Sequence, residues 1–397
     1  MGRQSGQRLN QWNMPGIGLL VYSTLVVMLL TLMPLRFTWP PEWKWLALTN
    51  VSDLVLNVFL FLPIGFLFRI AYRSSLFKGV LAATIYGACL TSFIEVTQTI
   101  VIGRIPTIPD LVTNAMGAAI GAVVYSLFKS RLAHHPLARV VAIEYPLMFD
   151  VYLLTFLIWL NSSNWGNEAS RLTLLPILMI FGARIFGSVV AYQSIHKSTA
   201  RAAFDSIIMV GIWAVVTSAP ALVQHREFVG IVIGVTMILT IIQLFWLRSL
   251  DIGQRRFEVD TLKPLIYLLV LYLIALIGWP LGFDGGVWSL HIEWTYIGYA
   301  KRGMQFYFVQ LFVAFTLTGF MLAELYGRRY EGIPISKYLS WAASMLVAIV
   351  VIEGFHVQHH LALVELLVIF LGYFCGLALY HQQRQTIRRS ALPGGYA

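Results

Sequence analysis

Val51-Ser-Asp53-Leu-Val-Leu-Asn57-Val-Phe-Leu-Phe61-Leu-Pro63-Ile-Gly65-Phe-Leu-Phe-Arg69-Ile-Ala71 is the stretch that decides the fold class. Its apolar run is near the length of about 20 residues that crosses a bilayer as a helix. Apolar residues do not alternate with polar ones along it, as a barrel strand would require. A backbone surrounded by lipid must satisfy its own hydrogen bonds, so a helix is the remaining solution. Charge stands only toward its ends, at Asp53 and Arg69, and Asn57 is a polar residue one turn after Asp53.

The same pattern recurs through the 397 residues. Apolar runs fall at 16–35, 51–71, 79–102, 110–128, 144–161, 171–192, 203–223, 227–247, 262–281, 304–326, 338–356 and 361–381, which predicts an all-α transmembrane bundle of about 12 spans. Composition agrees: 58% of residues are hydrophobic and 12% are charged, against about a quarter charged in an ordinary soluble domain. The run from Gly16 to Pro34 is too long for a signal-peptide core and has no small-residue cleavage site, so it reads as an uncleaved first helix. Cys89 and Cys375 lie inside apolar runs and read as small buried side chains rather than a disulfide or metal pair.

A net charge of +10 raises the question of a nucleic-acid partner. Its distribution answers otherwise. With the N-terminus in the cytoplasm, inner segments collect Arg69, Arg73, Lys78, Lys129, Arg131 and most later Lys and Arg, while outer segments carry few. The positive-inside rule then puts both termini in the cytoplasm, and the basic excess faces anionic membrane lipid, not nucleic acid.

Four pieces of the first third bring polar groups into the spans: Asn57 to Gly65, Glu95-Val-Thr-Gln98, the link Gly103-Arg104-Ile-Pro106-Thr-Ile-Pro109, and Asp110-Leu-Val-Thr-Asn114 followed by Gly117 and Gly121. Asp110 and Asn114 are one turn apart on one face, and Glu95 and Gln98 also share a face. Gly117 and Gly121 permit another helix to approach closely. A carboxylate at depth is expensive, so Glu95 should face a polar interior. Glu95 is the candidate acid or base. Asn57, Gln98, Arg104, Asp110 and Asn114 are the candidate binding residues, with Arg104 the nearest fixed positive charge for Glu95 or Asp110 and suited to grip a carboxylate or phosphate. The alternative for these side chains is interhelical hydrogen bonding without a ligand.

The order and spacing of Asn57, Phe61, Pro63, Gly65, Glu95, Gln98, Gly103, Arg104, Asp110, Asn114 and Gly117 resemble the VanZ-like family of bacterial membrane proteins, over about residues 16–130. The resemblance implies a multi-pass protein of the bacterial cytoplasmic membrane, with a role in the cell envelope and an association with teicoplanin resistance. It leaves the reaction, if any, open.

Three regions follow: a VanZ-like unit over 1–130, a middle region over 131–261 and a C-terminal unit over 262–397. Across 262–381 there are echoes of the first unit. Glu353 and His356 have the spacing of Glu95 and Gln98, and Glu365, Gly372 and Gly376 have that of Asp110, Gly117 and Gly121. This suggests a degraded second copy. His356, His359 and His360 lie together there, but a polar interfacial turn explains them better than a metal site, and no cofactor is indicated.

The residues leave three functions in competition. One is a VanZ-like protein that binds or handles a lipid-linked or surface glycan, with an anionic headgroup as one ligand class. The second is a membrane-embedded hydrolase or transferase with Glu95 as acid or base. No metalloprotease helix, nucleophile elbow or P-loop supports it. The third is a twelve-helix transporter or lipid flippase.

Overall fold

The computed structural model describes residues 14–33, 35–39, 45–46, 51–102, 104–134, 146–159, 174–194, 199–224, 234–235, 238, 242, 257–278, 288–294, 304–327, 333–355 and 360–391. The helices are α1 (Met14–Leu32), α2 (Val51–Ala71), α3 (Leu76–Gln98), α4 (Ile108–His134), α5 (Pro146–Trp159), α6 (Leu175–Ser194), α7 (Thr199–Gln224), α8 (Phe257–Ile277), α9 (Met304–Gly327), α10 (Ile335–Phe355) and α11 (Leu363–Ala391). Two short strands, β1 (His291–Glu293) and β2 (His360–Ala362), pair in parallel.

The fold is an all-α, multi-pass membrane bundle, and the expected count of twelve spans is corrected. Among the described residues, 7 helices are long and apolar enough to cross a membrane: α2, α3, α4, α7, α9, α10 and α11. Within the described residues the apolar runs of α1, α5, α6 and α8 cover Gly16–Leu32, Pro146–Trp159, Leu175–Ser188 and Leu262–Ile277. Such runs fall short of the roughly 20 residues that a bilayer core of about 30 Å demands. Most of the expected span 227–247 lies outside the described residues. The placement of both termini in the cytoplasm rested on twelve passes and goes with that count.

The chain divides into two compact units. One comprises Met1–His134 with His381–Ala397, the other His135–Tyr380. In the first unit α2 and α4 run side by side in the same direction, and the reason is small residues. A Cβ at Gly117 or Gly121 would collide with the carbonyl oxygens of Val58 and Leu62, and one at Gly65 with that of Ala118. The Gly117-x-x-x-Gly121 spacing lets the two backbones touch, the usual device where lipid supplies no hydrophobic drive between helices. α2 continues through Pro63. Outward, Leu56, Phe59, Phe93, Val96, Val112 and Leu127 are exposed, an apolar surface suited to lipid.

In the second unit α9 is the buried centre, with Phe308, Leu311, Phe312 and Leu317 fully enclosed. α6 and α7 meet where the Phe186 and Trp213 rings stack at 5.5 Å.

Candidate functional site

The polar residues of the first unit gather at one end of α2, α3 and α4, around the link that joins α3 to α4. Two extended pieces of the α1–α2 connection strap this link. Thr38 N–H donates to Ile100 O at 2.8 Å, and Ile102 N–H to Arg36 O at 2.9 Å. Further along, Leu46 N–H donates to Pro106 O and Ile108 N–H to Leu46 O, each at 3.0 Å. These bonds satisfy loop backbone that would otherwise be orphaned near lipid.

α4 starts at this strap. The Asp110 N–H donates to Thr107 Oγ1 at 3.3 Å, and the Asp110 carboxylate bonds back to the Thr107 side chain. Thr107 is thus the N-cap residue of α4, and its own backbone N–H goes to a partner outside the helix. Above it, Thr107 N–H donates to Glu95 Oε2 at 2.8 Å. Glu95, only 2% exposed, thus fixes the N-cap residue of α4 from the neighbouring helix, where the positive end of the helix dipole favours a carboxylate. Asp110 is also bonded by the Asn57 amide and feels the charge of Asp53, while Glu95 feels that of Asp110. Asp53, Asn57, Glu95 and Asp110 therefore form one acidic corner.

One turn deeper, Asn114 Nδ2 donates to Thr91 Oγ1 at 2.9 Å, with Asn114 4% exposed and Thr91 fully buried. This pair continues the same seam, because Thr91 precedes Glu95 by one turn and Asn114 follows Asp110 by one. Two acceptors of the seam, Asp110 Oδ1 and Asn114 Oδ1, are buried without a hydrogen-bond donor among the described residues.

Arg104 and Gln98 serve α1. The guanidinium Nη2 donates to Leu30 O and Met33 O, both at 3.1 Å, and Gln98 Nε2 donates to Thr31 O at 3.2 Å. These are carbonyls at the end of α1, where no further turn supplies donors. The chain leaves through Leu35 in the left-handed region, φ 54. Burial lowers the Arg104 pKa from its ordinary value, yet a guanidinium stays charged at neutral pH. Gly103 lies outside the described residues, as do His356 and His359.

The opposite end of the unit is basic. Arg69, 2% exposed, donates from Nε to Ser126 Oγ at 3.2 Å, from Nη1 to Tyr72 O at 3.2 Å and to Ser74 Oγ at 3.0 Å, and from Nη2 to Ser74 O at 3.3 Å. Arg73 and Lys78 follow closely in sequence, Lys129 stands three residues after Ser126 on α4, and all three are exposed.

Sequence reasoning brought together Asn57, Glu95, Asp110 and Asn114 and missed two threonines. Thr107 was legible as the head of Thr-x-x-Asp before an apolar run. Thr91 was legible only as a polar residue one turn before Glu95.

The fold and this corner define a multi-pass helical membrane protein with a polar site at one end of a close-packed helix trio. Residues 9–129 match the VanZ/LLP1 family, over nearly the extent expected from the motif. The remainder of the chain lies outside that match. No curated protein and no solved structure matches the chain.

Proposed function

We propose that the first unit binds the head of a lipid-linked or cell-surface glycan at the Glu95–Asp110–Asn114 seam, in a bacterial cytoplasmic membrane. The observation that carries this reading is the pair of buried acceptors, Asp110 Oδ1 and Asn114 Oδ1, without a donor among the described residues. A buried acceptor left without a donor costs about 1–3 kcal/mol, and a ligand rich in hydroxyl or amino donors removes that cost. Sugar hydroxyls have this chemistry. The apolar outer faces of α3 and α4 suit the lipid chain of such a ligand.

Orientation supports the same reading. Arg69, Arg73, Lys78 and Lys129 sit at one end of α2, α3 and α4, and the acidic corner at the other. The positive-inside rule directs the basic end to the cytoplasm and the corner outward, where surface glycans are assembled. An effect on glycopeptide susceptibility would follow from holding such a component. Glu95 acts here as a fixed acceptor and helix cap.

The test is mass spectrometry of lipids retained by the purified full-length protein and by Glu95→Gln and Asp110→Asn, each of which keeps an acceptor oxygen. A saccharide-bearing lipid should accompany the wild type and fall at least about tenfold in the variants, the equivalent of about 1.4 kcal/mol. Identical lipid profiles in all three, or retention of sugar-free lipids alone, would remove the proposal.

A further inference from the structure

The second unit repeats the packing of the first in register. Where Gly117 and Gly121 of α4 meet the carbonyls of Val58 and Leu62 on α2, Gly372 and Gly376 of α11 meet those of Phe312 and Thr316 on α9. Where Gly65 of α2 meets Ala118 O, Gly319 of α9 meets Tyr373 O. All three contacts on each helix are displaced along the chain by one constant step. A chance recurrence of glycines gives neither the shared step nor the same backbone partners.

The strap is repeated as well. In the first unit Leu46 pairs in parallel with Thr107, just before α4. In the second, β1 pairs in parallel with β2, just before α11. Val364 N–H donates to Trp294 O at 3.1 Å, as Ile108 N–H does to Leu46 O at 3.0 Å. The same connection reaches the end of the intervening helix in both: Thr38 N–H to Ile100 O at 2.8 Å, and Ser289 N–H to Gly354 O at 3.1 Å.

The polar corner is repeated in place but altered in chemistry. Glu353 and Glu365 feel each other's charge, as Glu95 and Asp110 do. The step that carries Val58 to Phe312 carries Asp53 to Tyr307, whose hydroxyl donates to Glu365 Oε1 at 2.6 Å. One turn deeper, the steps that relate Glu95 to Glu353 and Asp110 to Glu365 carry Thr91 to Ile349 and Asn114 to Ile369. Both isoleucines are buried, 1% and 0% exposed.

We propose that α9, α10 and the part of α11 up to Tyr380, with the β1–β2 strap, are a second copy of the α2–α3–α4 unit, in which a buried Ile349–Ile369 contact replaces the Thr91–Asn114 hydrogen bond and Tyr307 closes the acidic corner. The copy lies beyond the matched residues 9–129. Its packing residues are kept because a backbone-to-backbone crossing tolerates nothing larger than glycine. Its polar seam is free to change, because an apolar pair of matching shape satisfies a buried contact without a ligand.

The test is a double-mutant cycle in the full-length protein, read as the melting temperature in detergent. Ile369→Asn alone buries an amide without a partner and should lower the melting temperature by several degrees. Adding Ile349→Thr supplies the hydroxyl that Thr91 supplies to Asn114, and should recover at least half of that loss. The reciprocal pair, Thr91→Ile with Asn114→Ile, should melt within a few degrees of wild type, and above either single variant. A double variant Ile349→Thr/Ile369→Asn that melts at or below the sum of its two singles would overturn the correspondence. If both of its members fail to fold, the reciprocal pair decides: additive losses at Thr91 and Asn114 overturn the proposal equally. Neither result depends on which ligand the first corner takes.

Discussion

Replacing Glu95 separates its role as a helix cap from its charge. In Glu95→Ala the Thr107 N–H loses its acceptor at 2.8 Å in a position where Glu95 is only 2% exposed. A buried donor left without a partner costs about 1–3 kcal/mol. The same change removes the repulsion between Glu95 and Asp110, which offsets part of that cost. The net expectation for Glu95→Ala is therefore a loss of about 1–2 kcal/mol. Glu95→Gln retains an amide oxygen for Thr107 and also relieves Asp110, so its stability should stay within about 1 kcal/mol of wild type. The assay is heat-induced loss of the monodisperse species in detergent, followed by size exclusion. Glu95→Ala melting with the wild type, or Glu95→Gln falling as far as Glu95→Ala, would refute the capping role.

Arg104→Ala strips Leu30 O and Met33 O of their donor and should cost about 1–3 kcal/mol, with faster amide exchange confined to the last turn of α1 by hydrogen-exchange mass spectrometry. Arg69→Met leaves Ser126, Ser74 and Tyr72 O without the guanidinium and should lower stability by about 3 kcal/mol, measured by the same melting assay. Asn114→Leu takes the amide donor from the buried Thr91 Oγ1, so stability should fall by about 1–3 kcal/mol and retention of the saccharide-bearing lipid should drop. Gly121→Leu drives a side chain into the Leu62 backbone, which has no rotamer to yield. It should cost about 3 kcal/mol or prevent folding, seen as loss of monodisperse protein on expression.

The helices were legible because long apolar runs state their own conformation in lipid. The corner was legible in part because helical spacing alone puts Asp110 on a face with Asn114, and Glu95 on a face with Gln98. Their meeting depended on a short link between two helices, which leaves the chain little choice. The number of membrane-crossing helices was not legible. Hydropathy sums composition over a window, but crossing depends on where a helix begins and ends, and among the described residues the apolar stretches of α1, α5, α6 and α8 are shorter than a full crossing. Proximity in sequence directed Arg104 toward Glu95 and Asp110. Its bonds to Leu30 and Met33 arise because the end of α1 is packed beside the link, a neighbour far away in the chain.

The sequence by itself determined the solvent of this protein, its helical class and the VanZ-like character of its first unit. Each is a local property: composition, period, or the spacing of a motif. Tertiary structure decided which carbonyls Arg104 and Gln98 cap, which helix start Glu95 holds, and that Gly372 and Gly376 meet α9 as Gly117 and Gly121 meet α2. Those are contacts between residues remote in sequence. They become fixed only when close-packed helices set the partners of every buried donor and acceptor.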